Sequence, residues 1–207
     1  MRRFPETIER PEPAVRRPRH HWIVLAAAVV GLCLAVYLRT FGSFGPTSAG
    51  GEAEKLARLR LQPLADAGQP VLLDDLSGRV VLLHFWGTWC NPCRIDLSHV
   101  ADIERQHRDR TDFRVLAVSC GRGVAEDLGE LDYETRVFLQ QANIDMPVYA
   151  DPGQVTRRAV DEAVGFEGYP TTILLDRRGN IRRVWHGPQG EGARELPELV
   201  GELLREK

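Results

Sequence analysis

Residues 86–94 read Trp-Gly-Thr-Trp-Cys-Asn-Pro-Cys-Arg, and this stretch decides the fold of the chain. It follows an apolar run, residues 80–85, that predicts a buried strand, and it precedes a helical pattern of apolar residues. A strand therefore delivers two cysteines to the start of a helix, where unpaired backbone N–H groups and the helix dipole stabilise a thiolate. Pro92 suits the first turn of that helix because its missing N–H costs nothing there.

Cys90 and Cys93 predict a redox site. The thiolate is the form of cysteine that attacks disulfides, so a helix start that lowers the pKa of Cys90 favours thiol–disulfide exchange. Between a strand and a helix, the Cys-x-x-Cys pattern is typical of a thioredoxin-type site. The alternative is one half of a structural zinc site, which needs two further ligands. The sequence contains no second Cys-x-x-Cys and no Cys-x-x-His, so the redox interpretation is preferred.

The charge of the chain is unevenly distributed. Residues 1–21 carry six arginines against three glutamates, and since the net charge of the whole chain is −2, the remainder carries −5. This balance argues against a general nucleic-acid binder, and no nucleic-acid partner is expected. The basic tail runs into residues 22–38, an uncharged apolar segment that contains Trp22 and Tyr37. A helix of this length spans about 25 Å, at the short end of what crosses a bilayer.

The sequence predicts that residues 22–38 form an uncleaved transmembrane anchor with the N-terminus in the cytoplasm, because positive charge precedes the segment and aromatic residues bound it. A cleaved signal peptide is the main alternative, although its apolar region would exceed the usual ~7–15 residues. A buried core helix is the third reading. Either of the first two exports the C-terminal part. We therefore expect a single-pass protein of the cytoplasmic (inner) membrane with its C-terminal domain in the periplasm or equivalent extracytoplasmic space.

Beyond the anchor, residues 39–55 are a predicted linker and residues 56–207 a predicted domain. Two short apolar stretches between Leu56 and Leu73 predict a β-hairpin. The further predicted elements are strands at 80–86 and 113–119, helices at 92–108 and about 132–142, a short strand at 146–149, a helix ending near Val164, a hairpin at 171–176 and 180–185, and a closing helix at 191–206. This order predicts an α/β fold with a mixed central sheet and helices on both faces.

The arrangement resembles the membrane-anchored TlpA/ResA/CcmG-like branch of the thioredoxin superfamily. Four segments carry the resemblance over roughly residues 56–205: the strand and active-site entry at 76–90, Met-Pro-Val-Tyr-Ala-Asp at 146–151, Gly-Tyr-Pro-Thr-Thr at 168–172, and the hairpin at 176–181. The resemblance implies a thioredoxin-like fold with an N-terminal β-hairpin and a central α-β insert. It also implies a membrane-anchored thiol–disulfide oxidoreductase.

By the same resemblance, Cys90 is the exposed nucleophile, Cys93 is the resolving thiol, and the two form the redox disulfide. Pro170 matches the cis-proline of the family, which packs beside that disulfide. A cis bond would present the backbone of Tyr169 as a short edge for an extended substrate. Trp89 is a further candidate for the lining of the substrate groove.

Asp96 and His84 are candidates for moving protons near Cys93. Asp96 follows Cys93 by three residues, where this branch often has a glutamate, and a carboxylate there could accept the Cys93 proton. The alternative is a solvated carboxylate in the first helical turn. His84 stands where cytosolic thioredoxins have a buried aspartate, and its imidazole could shuttle a proton or, if charged, favour the thiolate. The alternative for His84 is a buried neutral side chain.

The sequence contains four cysteines, and the two outside the motif have weaker interpretations. Cys33 lies in the predicted anchor. Cys120 ends the strand expected beside residues 80–86, so it would emerge at the same sheet edge as Cys90 as a third redox thiol. The alternative is that Cys120 is a buried apolar residue.

The preferred function is reduction of specific protein disulfides, with cytochrome c apoprotein or a copper-site protein as typical clients of the family and a membrane thiol carrier as electron donor. No cofactor and no metal are expected. A thiol peroxidase is the first alternative, although the sequence has no Pro-x-x-x-Thr-x-x-Cys element. The second is a binding module without catalysis, in which the cysteine pair and His84 or Cys120 would hold copper or zinc.

Overall fold

The structure is a computed structural model that describes residues 54–65, 67–123, 127–188 and 192–206. The predicted basic tail at 1–21, the predicted anchor at 22–38 and most of the predicted linker lie outside these ranges. Among the described helices, none combines the length and the apolar character that a membrane crossing requires.

The described ranges contain seven strands and four α-helices. The strands are β1 (Arg60–Leu64), β2 (Val71–Leu72), β3 (Val80–Trp86), β4 (Phe113–Ser119), β5 (Val148–Ala150), β6 (Thr171–Leu175) and β7 (Ile181–His186). The helices are α1 (Asn91–His107), α2 (Leu128–Ala142), α3 (Val155–Val164) and α4 (Gly192–Arg205).

All seven strands form one mixed sheet in the order β2-β1-β5-β4-β3-β6-β7. Strand β3 runs parallel to β4 and antiparallel to β6, and β4 runs parallel to β5. The predicted hairpins are present as the antiparallel pairs β1–β2 and β6–β7. Because β3 is buried along its whole length between two neighbours, its near-continuous apolar sequence matches its position in the sheet.

Helices cover both faces of the sheet, as predicted. Side chains of β3 alternate between the faces, so Leu82 and Trp86 point to one core and Leu83 and Phe85 to the other. The first core contains apolar residues of α1, α2 and α4: Leu97, Val100, Leu131, Phe138, Leu196 and Val200. The second contains α3 and the N-terminal hairpin, including Leu61, Val71, Ala159 and Val160. Helix α1 therefore lies on the same face as Trp86.

Two predicted boundaries were wrong for local reasons. Helix α2 begins at Leu128, four residues before the predicted start, because the Asp127 carboxylate accepts hydrogen bonds from the backbone N–H groups of Gly129 and Glu130 and so caps the helix. Strand β5 begins at Val148, two residues later than predicted. The residue before it is Pro147, which has no N–H to donate to a strand ladder.

Candidate active site

Cys90 and Cys93 lie where β3 hands the chain to α1, and the structure joins them in a disulfide with Cα atoms 5.3 Å apart. Cys90 retains 6% of its surface exposed, whereas Cys93 is fully buried. Asn91 and Pro92, which separate them, are exposed. The cysteine that a second molecule reaches first is therefore Cys90.

The start of α1 is arranged to stabilise negative charge on Cys90. Cys90 is the N-cap residue of this helix, and the backbone N–H of Cys93 points at its Sγ atom at 3.3 Å. Pro92 occupies the first turn, where its missing N–H leaves no partner unsatisfied. A hydrogen-bond donor and the positive end of the helix dipole thus both act on the same sulfur, which favours its thiolate form.

Tyr169 and Pro170 lie against the disulfide from the loop before β6. The carbonyl oxygen of Tyr169 is 3.8 Å from Cys90 Sγ. The Tyr169–Pro170 peptide bond is cis, as the resemblance implied. Pro170 is buried, while the side chain of Tyr169 is half-buried at the rim of the site. The loop therefore presents both backbone and an aromatic ring beside the cysteine that faces solvent.

The indole of Trp89 is held beside Cys90 by a hydrogen bond to the backbone of Cys120, and Gly87 leaves the space for it. The indole Nε1 donates to the backbone oxygen of Cys120 at 2.9 Å. Gly87 makes this possible, because a Cβ at that position would lie 2.8 Å from the same oxygen and 2.5 Å from Trp89 Nε1. Any side chain at position 87 would push the indole away from the carbonyl.

A row of aromatic rings runs from the second core to the active-site rim. Phe85, Phe166, Tyr169 and Trp89 contact one another in edge-to-face pairs with centroids 5.3–5.4 Å apart. Guanidinium groups lie over the two rings nearest the disulfide: Arg157 over Tyr169 and Arg122 over Trp89, at 5.7 and 5.9 Å from the centroids. Such contacts favour a cation over the ring face. The rim of the site is thus aromatic and flanked by positive charge.

Asp96 lies on the inward face of α1, one turn after Cys93. Only 3% of its surface is exposed, so the alternative of a solvated carboxylate is wrong. Residues three apart are neighbours on a helix surface, and Cys93 and Asp96 belong to the same buried stripe of α1. The structure therefore places a buried carboxyl group one helical turn from Cys93.

His84 lies on the face of β3 that α1 covers, and it is fully buried. Its Nδ1 atom is 2.9 Å from the hydroxyl of Thr172, which is the residue of β6 that pairs with His84 in the sheet. Burial lowers the pKa of His84 from 6.5 to about 3. The imidazole is therefore neutral near pH 7, and the hypothesis that its positive charge favours the thiolate is wrong.

Two nitrogen atoms on this face of β3, His84 Nε2 and Trp86 Nε1, are buried with no hydrogen-bond partner among the described residues. Unsatisfied buried polar groups are rare and cost stability. Trp86 otherwise packs against Phe138 with ring centroids 5.4 Å apart.

Cys120 emerges at the same sheet edge as Cys90, as predicted, but its side chain is fully buried. Its Sγ atom lies 3.7 Å from the backbone oxygen of Val118. This geometry favours the reading of Cys120 as a buried apolar residue. Among the described residues, no group of three or more His, Cys, Asp or Glu side chains is arranged to hold a metal ion.

Five residues of the site were missed by the sequence argument: Gly87, Arg122, Arg157, Phe166 and Thr172. Gly87 and Thr172 lie within segments that were recognised, but their contacts depend on a neighbouring strand or loop. Arg157 lies in α3, and its contact with Tyr169 requires knowing which loop this helix packs beside. Of these residues, Gly87 alone carried a signal in the sequence, because a glycine beside the cysteine motif can indicate a close approach of the backbone.

Comparison with known proteins is consistent with this geometry. The model of the AhpC/TSA family matches residues 53–184. The thiol-disulfide oxidoreductase ResA of Bacillus subtilis is 27% identical over 169 residues, covering 81% of this chain and 84% of the relative. ResA of Halalkalibacterium halodurans is 26% identical over 178 residues, covering 86% and 91%.

Solved structures give the same picture. A provisionally assigned thiol:disulfide interchange protein DsbE from Chlorobium tepidum superposes with a TM-score of 0.59 at 26% identity, covering 75% of this chain and 99% of that one. A thiol:disulfide interchange protein of the thioredoxin family from Chlorobium tepidum TLS superposes with a TM-score of 0.58 at 22% identity, covering 75% and 99%. The second supports the thioredoxin-like fold alone.

Proposed function

The chain belongs to the AhpC/TSA family of thioredoxin-like proteins and is a thiol–disulfide oxidoreductase, and from this premise we propose that it reduces specific protein disulfides outside the cytoplasm. The observation that carries the proposal is the asymmetry of the cysteine pair. Cys90 is at the rim with a backbone N–H aimed at its sulfur, and Cys93 is buried behind it.

The proposed reaction moves two electrons from the enzyme to the client. The Cys90 thiolate attacks one sulfur of the client disulfide, which forms a mixed disulfide and releases one client thiol. Cys93 then loses its proton and attacks Cys90 Sγ. This step forms the Cys90–Cys93 disulfide and releases the second client thiol. The structure described above corresponds to the oxidised enzyme at the end of this cycle.

Asp96 is the proposed base for Cys93. The resolving thiol is fully buried, so bulk water has little access to its proton. The burial of the Asp96 carboxyl group one helical turn from Cys93 supports this role, and general-base assistance of this kind is worth about 10²–10⁴ in rate. His84 is proposed as a neutral structural partner of Thr172 and not as a base.

Trp89, Tyr169 and Pro170 are the proposed client-binding surface. The Tyr169 carbonyl, 3.8 Å from Cys90 Sγ, supports this role because a client segment laid along the loop would bring its disulfide to the nucleophile. A polypeptide with a disulfide in an extended segment, such as cytochrome c apoprotein or a copper-site protein, is the proposed client class. A membrane thiol carrier is the proposed electron donor.

The alternative of a thiol peroxidase has no support at Cys120. A resolving role would require its sulfur to reach Cys90, and the side chain is fully buried with Sγ against the Val118 carbonyl.

The reduction potential of the Cys90/Cys93 pair tests the direction of the reaction. We expect a value more negative than about −200 mV, the range of reducing members of the fold, and transfer of electrons from the reduced enzyme to a peptide oxidised across a Cys-Ala-Ala-Cys-His segment. Equilibration with glutathione or dithiothreitol buffers measures the potential. A value near −120 mV, with oxidation of the reduced peptide instead, would show that the enzyme is an oxidant.

The proposed location predicts the outcome of a topology experiment. A reporter that is active only outside the cytoplasm should be active when fused after Gly51, because positive charge precedes the apolar segment at residues 22–38. Activity of a cytoplasm-only reporter at the same junction would contradict export. Sequencing the N-terminus of the mature protein distinguishes the anchor from a cleaved signal peptide. If the signal is cleaved, the mature protein begins downstream of residue 40.

A further inference from the structure

Arg157 lies outside the cysteine motif but contacts the loop that faces it. Its guanidinium donates a hydrogen bond to the hydroxyl of Tyr169 and also lies over the ring of that residue, 5.7 Å from its centroid. The hydrogen bond and the ring contact thus both join the Arg157 guanidinium to the Tyr169 side chain. Arg157 therefore restrains both the position and the tilt of the Tyr169 ring.

The backbone from which Arg157 extends is itself held firmly. The carboxylate of Asp151, a fully buried residue directly after β5, accepts the N–H groups of Thr156 and Arg157 at 2.9 and 2.8 Å. The first turn of α3 is thereby tied to the end of the sheet. The backbone of Arg157 is thus held in place, and its side chain extends from α3 to the rim of the active site.

Tyr169 carries this restraint to the nucleophile by two routes. Its ring packs edge-on against Trp89 on one side and Phe166 on the other. Its carbonyl oxygen lies 3.8 Å from Cys90 Sγ. A displaced Tyr169 would therefore alter the aromatic wall and the backbone edge that the proposed client meets.

We propose that Arg157 is a positioning residue that holds Tyr169 in the conformation required to bind polypeptide disulfides, and so makes the enzyme selective for them over small disulfides. The inference rests on the proposed function. A small disulfide needs only the Cys90 sulfur, whereas the contacts described for the Arg157 guanidinium are with Tyr169. An extended polypeptide also needs the surface beside it, so the two kinds of substrate should respond differently to loss of Arg157.

The test compares Arg157→Gln with the unaltered chain in single-turnover reduction of two probes: a peptide oxidised across a Cys-Ala-Ala-Cys-His segment, and bis(2-hydroxyethyl) disulfide, a small disulfide without charge or aromatic rings. We expect the half-saturating peptide concentration to rise about fivefold to tenfold, the range for losing a charge-assisted hydrogen bond with its cation–π contact. The limiting rate and the rate with the small disulfide should stay within about twofold, since neither depends on the client-binding surface.

Matched variants make the outcome specific. Tyr169→Phe deletes only the hydroxyl, and combined with Arg157→Gln it should add little, because residues that act through one contact are not additive. Arg157→Lys should restore the peptide affinity only in part, since an ammonium lacks the planar stacking of a guanidinium. Arg158→Gln removes the same charge from the adjacent exposed position, whose contacts are with the carbonyls of Gly153 and Gln154, and should leave both probes unaffected.

Equal losses with both probes, additive effects in the double variant, or unchanged peptide binding by Arg157→Gln would overturn the inference. If Arg157→Gln does not fold, Tyr169→Phe alone carries the test, and an unchanged peptide affinity in that variant is the contradicting result. Failure of the unaltered reduced chain with both probes would instead overturn the proposed function and this inference with it.

Discussion

Replacing Cys90 with serine should abolish disulfide reduction, whereas replacing Cys93 with serine should leave the enzyme joined to its client as a stable mixed disulfide. The difference arises because the Sγ of Cys90 lies at the rim under a backbone N–H, and Cys93 is buried behind it. Without Cys93, the first exchange takes place but no internal thiol resolves the product. Non-reducing electrophoresis of the two variants after incubation with an oxidised client measures both outcomes.

Labelling of the reduced chain checks the order of attack independently. Iodoacetamide should modify Cys90 faster than Cys93, with a rate that persists below the ordinary thiol pKa of about 8.5. Cys120→Ala serves as the control, because its buried side chain lies in the second core while Cys90 and Cys93 lie in the first, and its reduction and trapping behaviour should match the unaltered chain. Faster labelling of Cys93 would reverse the assignment of nucleophile and resolving thiol.

Replacing Asp96 with asparagine should slow resolution of the mixed disulfide by about 10²–10⁴-fold, the usual worth of a general base. Asparagine keeps the size of the side chain and removes only its ability to accept a proton as a carboxylate. Stopped-flow measurement of client thiol release across pH 5–9 isolates this step. The same variant should form the mixed disulfide at the normal rate. An unchanged resolution rate and pH profile would mean that water takes the Cys93 proton.

His84→Asn is the matched comparison because it changes another buried polar residue on the same side of the sheet. Since burial lowers the pKa of His84 to about 3, the imidazole does not titrate between pH 5 and 9 and the kinetic pH profile should not move. Stability should respond instead. As pH falls below 6.5, the unfolded chain protonates His84 while the folded chain does not, so the folded state loses stability. His84→Asn should remove this acid sensitivity in urea titrations at pH 7 and pH 5, and a kinetic effect as large as that of Asp96→Asn would contradict the assignment.

Most of the fold could be predicted from local sequence patterns, namely apolar runs for strands and helical spacing of apolar residues for helices. The bounds of β3 and β4 were predicted to the residue, because each is a largely apolar run long enough for a buried strand and preceded by a charged residue. The start of α2 was missed because the capping role of Asp127 competes with several other polar residues around it. A cap is defined by backbone geometry, which periodicity does not report.

The site was predictable as far as the cysteines and the proline loop, and less so beyond them. Asp96 was a candidate because it follows Cys93 by three residues, where the resembled branch often has a glutamate, but the burial of its carboxyl group depends on what packs over that face of the helix. The neutral state of His84 likewise depends on complete burial, which a single residue in an apolar strand does not establish. The contact of Arg157 with Tyr169 joins two elements whose relative placement is a tertiary property.

The two ends of the sheet bear on how the protein behaves at high concentration. Strand β2 is only two residues long, and β7 at the other end carries the exposed charged residues Arg182 and Arg183. Short edges and edge charges oppose the pairing of one sheet with another, which is the first contact in β-type aggregation. Within the part of the chain that the structure describes, both end strands of the sheet therefore have features that oppose strand-mediated self-association, and long storage in concentrated solution should not add further strands to it.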